Sequence, residues 1–95
     1  MSLKFEWDHK KAASNLSKHG VSFDEALTVF GDPLARIFDD EDHSIAEQRE
    51  IIIGHSVKER LLVACFTSQG ESVRILSARK ATRKEQRDYE ENVKS

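Results

Sequence analysis

At Gly31-Asp32-Pro33 the spacing of apolar residues switches from helical to strand-like, and that switch limits what the chain can fold into. Just before it, Phe23, Ala26, Leu27 and Phe30 recur at i, i+3, i+4 and i+7, one apolar face of a helix. Glycine accepts a left-handed cap and proline cannot continue the helix, so the helix ends there. Beyond Pro33 the apolar residues gather in short runs rich in β-branched side chains and separated by polar turns. Such a chain is neither all-helical nor all-β.

Helix boundaries are marked on both sides of the switch. Asp8 is placed to N-cap, and Gly20 to end, a helix over His9–His19 with Ala12, Ala13 and Leu16 at helical spacing. Lys18 and His19 fall in its last turn, where positive charge suits the helix dipole. Ser22 and Glu25 form an S-x-x-E capping box, in which each side chain satisfies a free backbone N–H at the start of the second helix. Thr82 and Glu85 repeat that pattern and open a last helix carrying Tyr89 and Val93.

Strands are expected at Leu3–Trp7, Leu34–Phe38, Ile51–Ile53, Leu61–Thr67 and Val73–Ala78, with the acidic stretch Asp39–Gln48 as a loop. Strict alternation divides the last strand into Val73/Ile75/Ser77 and Arg74/Leu76/Ala78. Hairpin-length connections among the later strands predict an α+β fold: an antiparallel β-sheet meander with two N-terminal helices and one C-terminal helix against one face. Residues 1–95 read as a single domain, without repeats or linker.

Hydrophobic residues at 38% and charged residues at 34% fit a soluble globular domain. The single cysteine, Cys65, excludes an intrachain disulfide and reads as a small buried hydrophobe within Leu61–Phe66. No run approaches the roughly 18 apolar residues of a membrane span, and the N-terminus has no signal-peptide core. The expectation is a cytoplasmic protein with no membrane partner.

A net charge of −2 argues against a general nucleic-acid binder, but it conceals two opposed patches. Asp39–Glu50 holds six acids against Arg49, whereas Arg74–Arg87 holds six cations against Glu85. In the basic segment Arg74 projects from a strand, Arg79 and Lys80 precede the Thr82 cap, and Arg83 and Arg87 follow on the helix. Free N–H groups, the positive end of a helix dipole and planar guanidinium groups would there converge on one anion, as a phosphodiester requires. Charge pattern alone leaves a second, simpler reading open: a solvated basic face paired with the acidic loop.

Cutting RNA without a metal needs a base for the 2′-hydroxyl, an acid for the leaving oxygen and fixed positive charge for the phosphorane. Glu47, His55 and His19 are the proton-carrier candidates and Tyr89 a phenolic donor, while Arg49, Arg74, Arg79 and Lys80 supply charge. His9, His19, His43 and His55 are scattered, no metal-ligand pair appears, and nucleotide-binding glycine motifs are missing, so neither metal nor cofactor is expected.

The blocks FEWDHKKAASNLSKHGVSFDEALTVFGDP, EQREIIIGHS and LLVACFTSQGESVRILSARKATRKEQRDYE together resemble the BrnT family over roughly Phe5 to Glu90. The resemblance implies a RelE-like fold and a ribonuclease toxin of a type II toxin–antitoxin pair. Such a toxin cleaves RNA, inhibits growth and is restrained by a cognate antitoxin, through which the complex meets promoter DNA. The matching motifs place Glu47 and Arg49 of E-x-R, Arg74, and Arg79, Lys80 and Arg83 of S-A-R-K-A-T-R in the active region. Lys18 and His19 of K-H-G join them as RNA-binding residues, with Arg87 and Tyr89. The alternative is a non-catalytic nucleic-acid- or partner-binding domain that uses Arg74–Arg87 only to hold phosphates or an acidic partner.

Overall fold

The computed structural model describes residues 3–40 and 48–94. Glu47 and most of the acidic loop lie outside them. The elements run β1 (Lys4–Glu6), α1 (His9–His19), α2 (Phe23–Thr28) with a 3-10 turn at Val29–Gly31, β2 (Arg36–Asp39), β3 (Arg49–His55), β4 (Leu61–Gln69), β5 (Ser72–Lys80) and α3 (Arg83–Lys94).

Local signals set the helix boundaries as expected. The Asp8 carboxylate accepts from the N–H groups of Lys10 at 2.7 Å and Lys11 at 3.3 Å, and Gly20 closes α1 at φ 68°. At α2 only half of the expected capping box forms. Ser22 Oγ accepts from the Glu25 N–H at 3.0 Å, but the Glu25 carboxylate turns inward to Ser56 and Arg60. A buried carboxylate is stabilised more by a guanidinium and a hydroxyl than by one peptide N–H.

The five strands lie in the order β1-β5-β4-β3-β2. From β2 to β5 the sheet is the expected antiparallel meander, but β1 pairs with β5 in parallel, so the sheet is mixed. Short connections force β3, β4 and β5 to run antiparallel. No hairpin links β1 to β5, so its direction follows from the path of α1 and α2 back across the sheet.

The helices also depart from the one-face expectation. α1 and α2 cover one face, where Val21, Phe23, Ala26 and Val29 meet Ile52, Leu62, Ala64, Phe66, Val73, Ile75 and Ala78. α3 covers part of the other, where Tyr89 packs on Ile53 and Val63. β3 and β4 carry apolar residues on both faces, and a strand of that kind needs cover on both sides.

Two polar devices lock the closed face. Asn15 donates to the carbonyls of Val21 at 2.9 Å and Ala78 at 2.8 Å and accepts from the Ala78 N–H at 3.0 Å, bolting α1 to β5. Glu25, 4% exposed, accepts from Ser56 Oγ at 2.7 Å and from the Arg60 guanidinium. Gly54 permits the close approach of β3 to the turn after α2: a Cβ there would sit 2.9 Å from Ala35 Cβ and 3.0 Å from Asp32 Oδ2.

β5 contains the irregularity that matters most for the open face. Cys65 pairs with Ser77 and Phe66 with Ile75, so Leu76 is an extra residue, a β-bulge. Val73, Ile75 and Ala78 therefore face the closed core, and Arg74, Ser77 and Arg79 share the open face. The two expected groupings of this strand hold only up to the bulge, because one inserted residue inverts every side chain beyond it.

Candidate functional site

On the open face the strand register lays out three successive rows. Arg49, Thr67, Arg74 and Glu6 form the first, Ile51, Cys65 and Ser77 the second, and Ile53, Val63 and Arg79 the third. Rows on one face are two residues apart, about 6.5 Å, which puts the Arg74 and Arg79 backbones on the order of 13 Å apart.

Between them lies a cleft of ≈ 420 Å³ lined by Asp40, Arg49, Ile51, Val63, Cys65, Ser77 and Arg79. Its floor carries the Cys65 thiol, which donates to Asp40 Oδ2 at 3.7 Å. A second cleft of ≈ 280 Å³ continues under α3 and shares Ile51, Val63 and Arg79 with the first. Arg74 lines a polar hollow at the other end with Glu6, Thr67, Gln69 and Ser72.

Arg79 is held at two points. Its Nη1 donates to Glu85 Oε1 at 2.7 Å and its Nη2 to Glu85 Oε2 at 2.9 Å, a bidentate pair. Glu85 also accepts from the Thr82 N–H at 2.8 Å, and Thr82 Oγ1 accepts from the Glu85 N–H at 3.1 Å, so this second capping box is complete. The Arg79 guanidinium holds the Glu85 carboxyl far below the usual carboxylate range, at about 2, against a smaller opposing effect of burial. The same bonds raise Arg79 above its ordinary value.

One helical turn beyond Glu85, Tyr89 ties α3 down again by donating to Asp32 Oδ2 at 3.1 Å. Asp32 also accepts from the backbone N–H groups of His55 at 2.7 Å and Leu34 at 2.9 Å. Burial pushes the Asp32 carboxyl up, but these donors outweigh it and the net direction is down. Burial, followed by the Asp32 contact, pushes the Tyr89 phenol up.

The expected site residues thus divide. Arg49, Arg74 and Arg79 share the open face. Lys80 pairs with the core residue Leu62 and so belongs to the closed face, at the exposed end of β5. His55 stacks edge-on against Tyr89 at 5.3 Å, with Nδ1 3.8 Å from Asp32 Oδ2, and lines neither cleft. Tyr89 is buried beneath α3, its hydroxyl directed at Asp32. Arg83 and Arg87 are exposed on α3, whose cleft-lining residues are Glu85, Asp88, Tyr89 and Asn92. Lys18 and His19 line a separate hollow of ≈ 220 Å³ with Asn15 and Leu76.

Sequence reasoning missed Asp40, Ser77 and Cys65 in the cleft and saw Glu85 only as a cap. Ser77 was hidden by the bulge. Asp40 becomes recognisable only when β2 is paired with β3, where its N–H donates to the Arg49 carbonyl at 2.9 Å. Among the described residues, no group of three His, Cys, Asp or Glu side chains is arranged to hold a metal ion, and no helix is long and apolar enough to cross a membrane.

The chain is an α+β domain whose open sheet face carries Arg49, Arg74 and Arg79. Residues 7–85 match the family described as "Ribonuclease toxin, BrnT, of type II toxin-antitoxin system", and the chain belongs to that family. Its fold is similar to the crystal structure of the Brucella abortus ribonuclease toxin BrnT. The TM-score is 0.66 at 24% identity, over 86% of this chain and 100% of that one. No curated protein sequence matches.

Proposed function

We propose that the chain is the toxin of a type II toxin–antitoxin pair and cleaves RNA on its open face, without a metal ion. The observation that carries this reading is the placement of Arg49, Arg74 and Arg79 on one face in a member of a ribonuclease toxin family. In the reaction the 2′-oxygen forms a bond to the adjacent phosphorus as the P–O5′ bond breaks, leaving a cyclic phosphate and a 5′-hydroxyl. The 2′-hydroxyl proton passes to a base, and a second proton reaches the departing 5′-oxygen.

Arg79 and Arg49, across the cleft from each other, supply donors to the phosphorane oxygens. Arg74, about two rows away, holds a neighbouring phosphate of the same strand. Glu47 and His55 are the proton carriers expected from sequence, and the cleft adds Asp40, whose carboxylate lies among the same residues as Arg49 and Arg79. Arg83, Arg87, Lys18 and His19 extend the basic surface for the rest of the RNA, whereas Lys80 on the opposite face does not join it.

A cognate antitoxin neutralises the toxin by covering this face, and promoter DNA is contacted only through that complex in the cytoplasm. The RelE-like fold implied by the resemblance is consistent with a single sheet whose open face does the chemistry.

The test is end-labelled RNA incubated with the purified chain in EDTA. Wild type should generate fragments ending in cyclic phosphate, and Arg79→Ala should lose about 10²–10³-fold in kcat while staying folded. Expression should arrest growth, and co-expression of the antitoxin should relieve it. Salt-sensitive RNA binding with no strand scission would instead support the non-catalytic alternative.

A further inference from the structure

We infer that Glu85 is a positioning residue: its carboxylate fixes the Arg79 guanidinium so that the remaining N–H edge is presented to the scissile phosphate. The inference rests on the RNA-cleaving reading above and assigns a role to a residue that sequence marked only as a helix cap.

A guanidinium carries five N–H donors in a planar fork. Glu85 takes one from Nη1 and one from Nη2, and the Lys80 carbonyl lies 3.3 Å from Nη1. The Nε–H and the outer Nη2–H have no partner among the described residues. These two bonds are parallel and lie on the side of the fork next to the one Glu85 occupies. Such an edge matches two oxygens of a phosphate in the bidentate manner typical of arginine.

A carboxylate on a catalytic arginine invites the opposite reading, that Glu85 is a plug the substrate must displace. The geometry speaks against that. Glu85 is held by Thr82 in both directions, by the backbone N–H on its Oε1 and by the hydroxyl on its own N–H. Tyr89, one turn further on the same side of α3, pins the helix to Asp32. Swinging Glu85 aside would dismantle the cap that starts α3. Engaging the phosphate with the Nε edge requires no such movement, so both partners can be held at once. Pre-positioned donors also avoid reorganisation as charge develops in the reaction.

The Arg79 position makes this anchoring necessary. It is the next-to-last residue of β5, where the strand gives way to α3, and its side chain borders both clefts. Arginine loses much rotamer freedom when it is fixed. Without a fixed carboxylate its charge would be spread over two clefts rather than directed at one phosphate. The capping box therefore has two uses: it starts α3, and it sets the angle of the arginine.

The experiment compares multiple-turnover RNA cleavage by wild type, Glu85→Gln, Arg79→Ala and the double variant, alongside NMR of the Arg79 Nε–H. Glutamine preserves the capping box and the side-chain volume but removes the charge. Glu85→Gln should lower kcat about tenfold to a hundredfold with little change in KM, in protein that stays folded. In the double variant the glutamine should add nothing to the loss from Arg79→Ala. Without RNA, the Arg79 Nε–H should be rigid in wild type and mobile in Glu85→Gln. Unchanged or increased kcat in Glu85→Gln, multiplying losses in the double variant, or an equally mobile Nε–H in both proteins would each overturn the inference. Full cleavage by Arg79→Ala would instead overturn the assignment of Arg79 itself, and the NMR comparison would still judge the pairing.

Discussion

Each face of the sheet carries a glutamate–arginine pair, and the two are placed for different ends. On the closed face Glu25 is buried among α2, Ser56 and Arg60, and its pair joins a helix to the turn before β4. On the open face the Arg79 and Glu85 side chains are 42% and 31% exposed, and their pair borders two clefts. The closed-face carboxylate gave up half of its capping box to reach its arginine, whereas the open-face carboxylate keeps its box and reaches its arginine as well. The same two residue types close a core in one place and aim a cation in the other. What separates them is where the carboxylate sits, inside the packed core in one case and beside two open clefts in the other.

If the closed face is the stabilising one, the largest effect should come from its centre. Phe23, 1% exposed and edge-on to Trp7 at 5.9 Å, should cost about 3–5 kcal/mol when replaced by alanine, read by urea denaturation. A loss below ~1 kcal/mol would mean that the face can collapse around the void.

The next effect tests the closed-face pair directly. Glu25→Gln leaves Arg60 facing a neutral group and should cost about 2 kcal/mol, less than a fully buried pair because Arg60 is partly exposed. Melting temperature should fall by about 8–16 °C, and RNA cleavage per folded molecule should be unchanged. A large loss of kcat in folded Glu25→Gln protein would erase the distinction between the two faces.

A smaller effect concerns pH. The Glu85 carboxyl titrates at about 2 in the folded chain against an ordinary 4.5, so its pair contributes fully above pH ~4.5 and is lost as pH falls through about 2. Glu25 is lowered in the same direction, chiefly by the Arg60 bond. Urea melts between pH 5 and pH 3 should therefore show wild type losing more stability than Glu85→Gln. Parallel slopes would show that the open-face pair does not stabilise the fold.

The smallest expected effect is at Lys80. It adjoins Arg79 in sequence but lies on the opposite face, so Lys80→Ala should change kcat by less than about twofold, the scale of a surface substitution. A loss comparable to that of Arg79→Ala would show that the RNA wraps around the end of β5 and that the faces are not separate.

Much of this organisation could be read along the chain. The α1 boundaries follow from Asp8 and Gly20, both acting within a few residues of their place in sequence. The hairpins of β3–β5 follow from short polar connections. The two S/T-x-x-E boxes show the limit of that kind of reading. Their sequence signatures are equivalent, yet one carboxylate completes its box and the other leaves for an arginine 35 positions away. At the site, Arg74 and Arg79 were visible as charge, while Glu85 as a partner, Asp40 as a neighbour and Lys80 as an outlier were not.

The residues by themselves determined where helices start and stop, which runs become strands and which segment carries positive charge, because caps, turns and periodicity act over a few bonds. The motif blocks further determined membership in the toxin family. Tertiary structure decided the rest. Arg74 and Arg79 are five residues apart, an odd spacing that an unbroken strand would direct to opposite faces. Leu76, squeezed out as a bulge between β4 and β5, inverts the alternation and brings both arginines to the open face. That inversion arises from fitting two strands against a shared core, a competition between distant residues that no local pattern records.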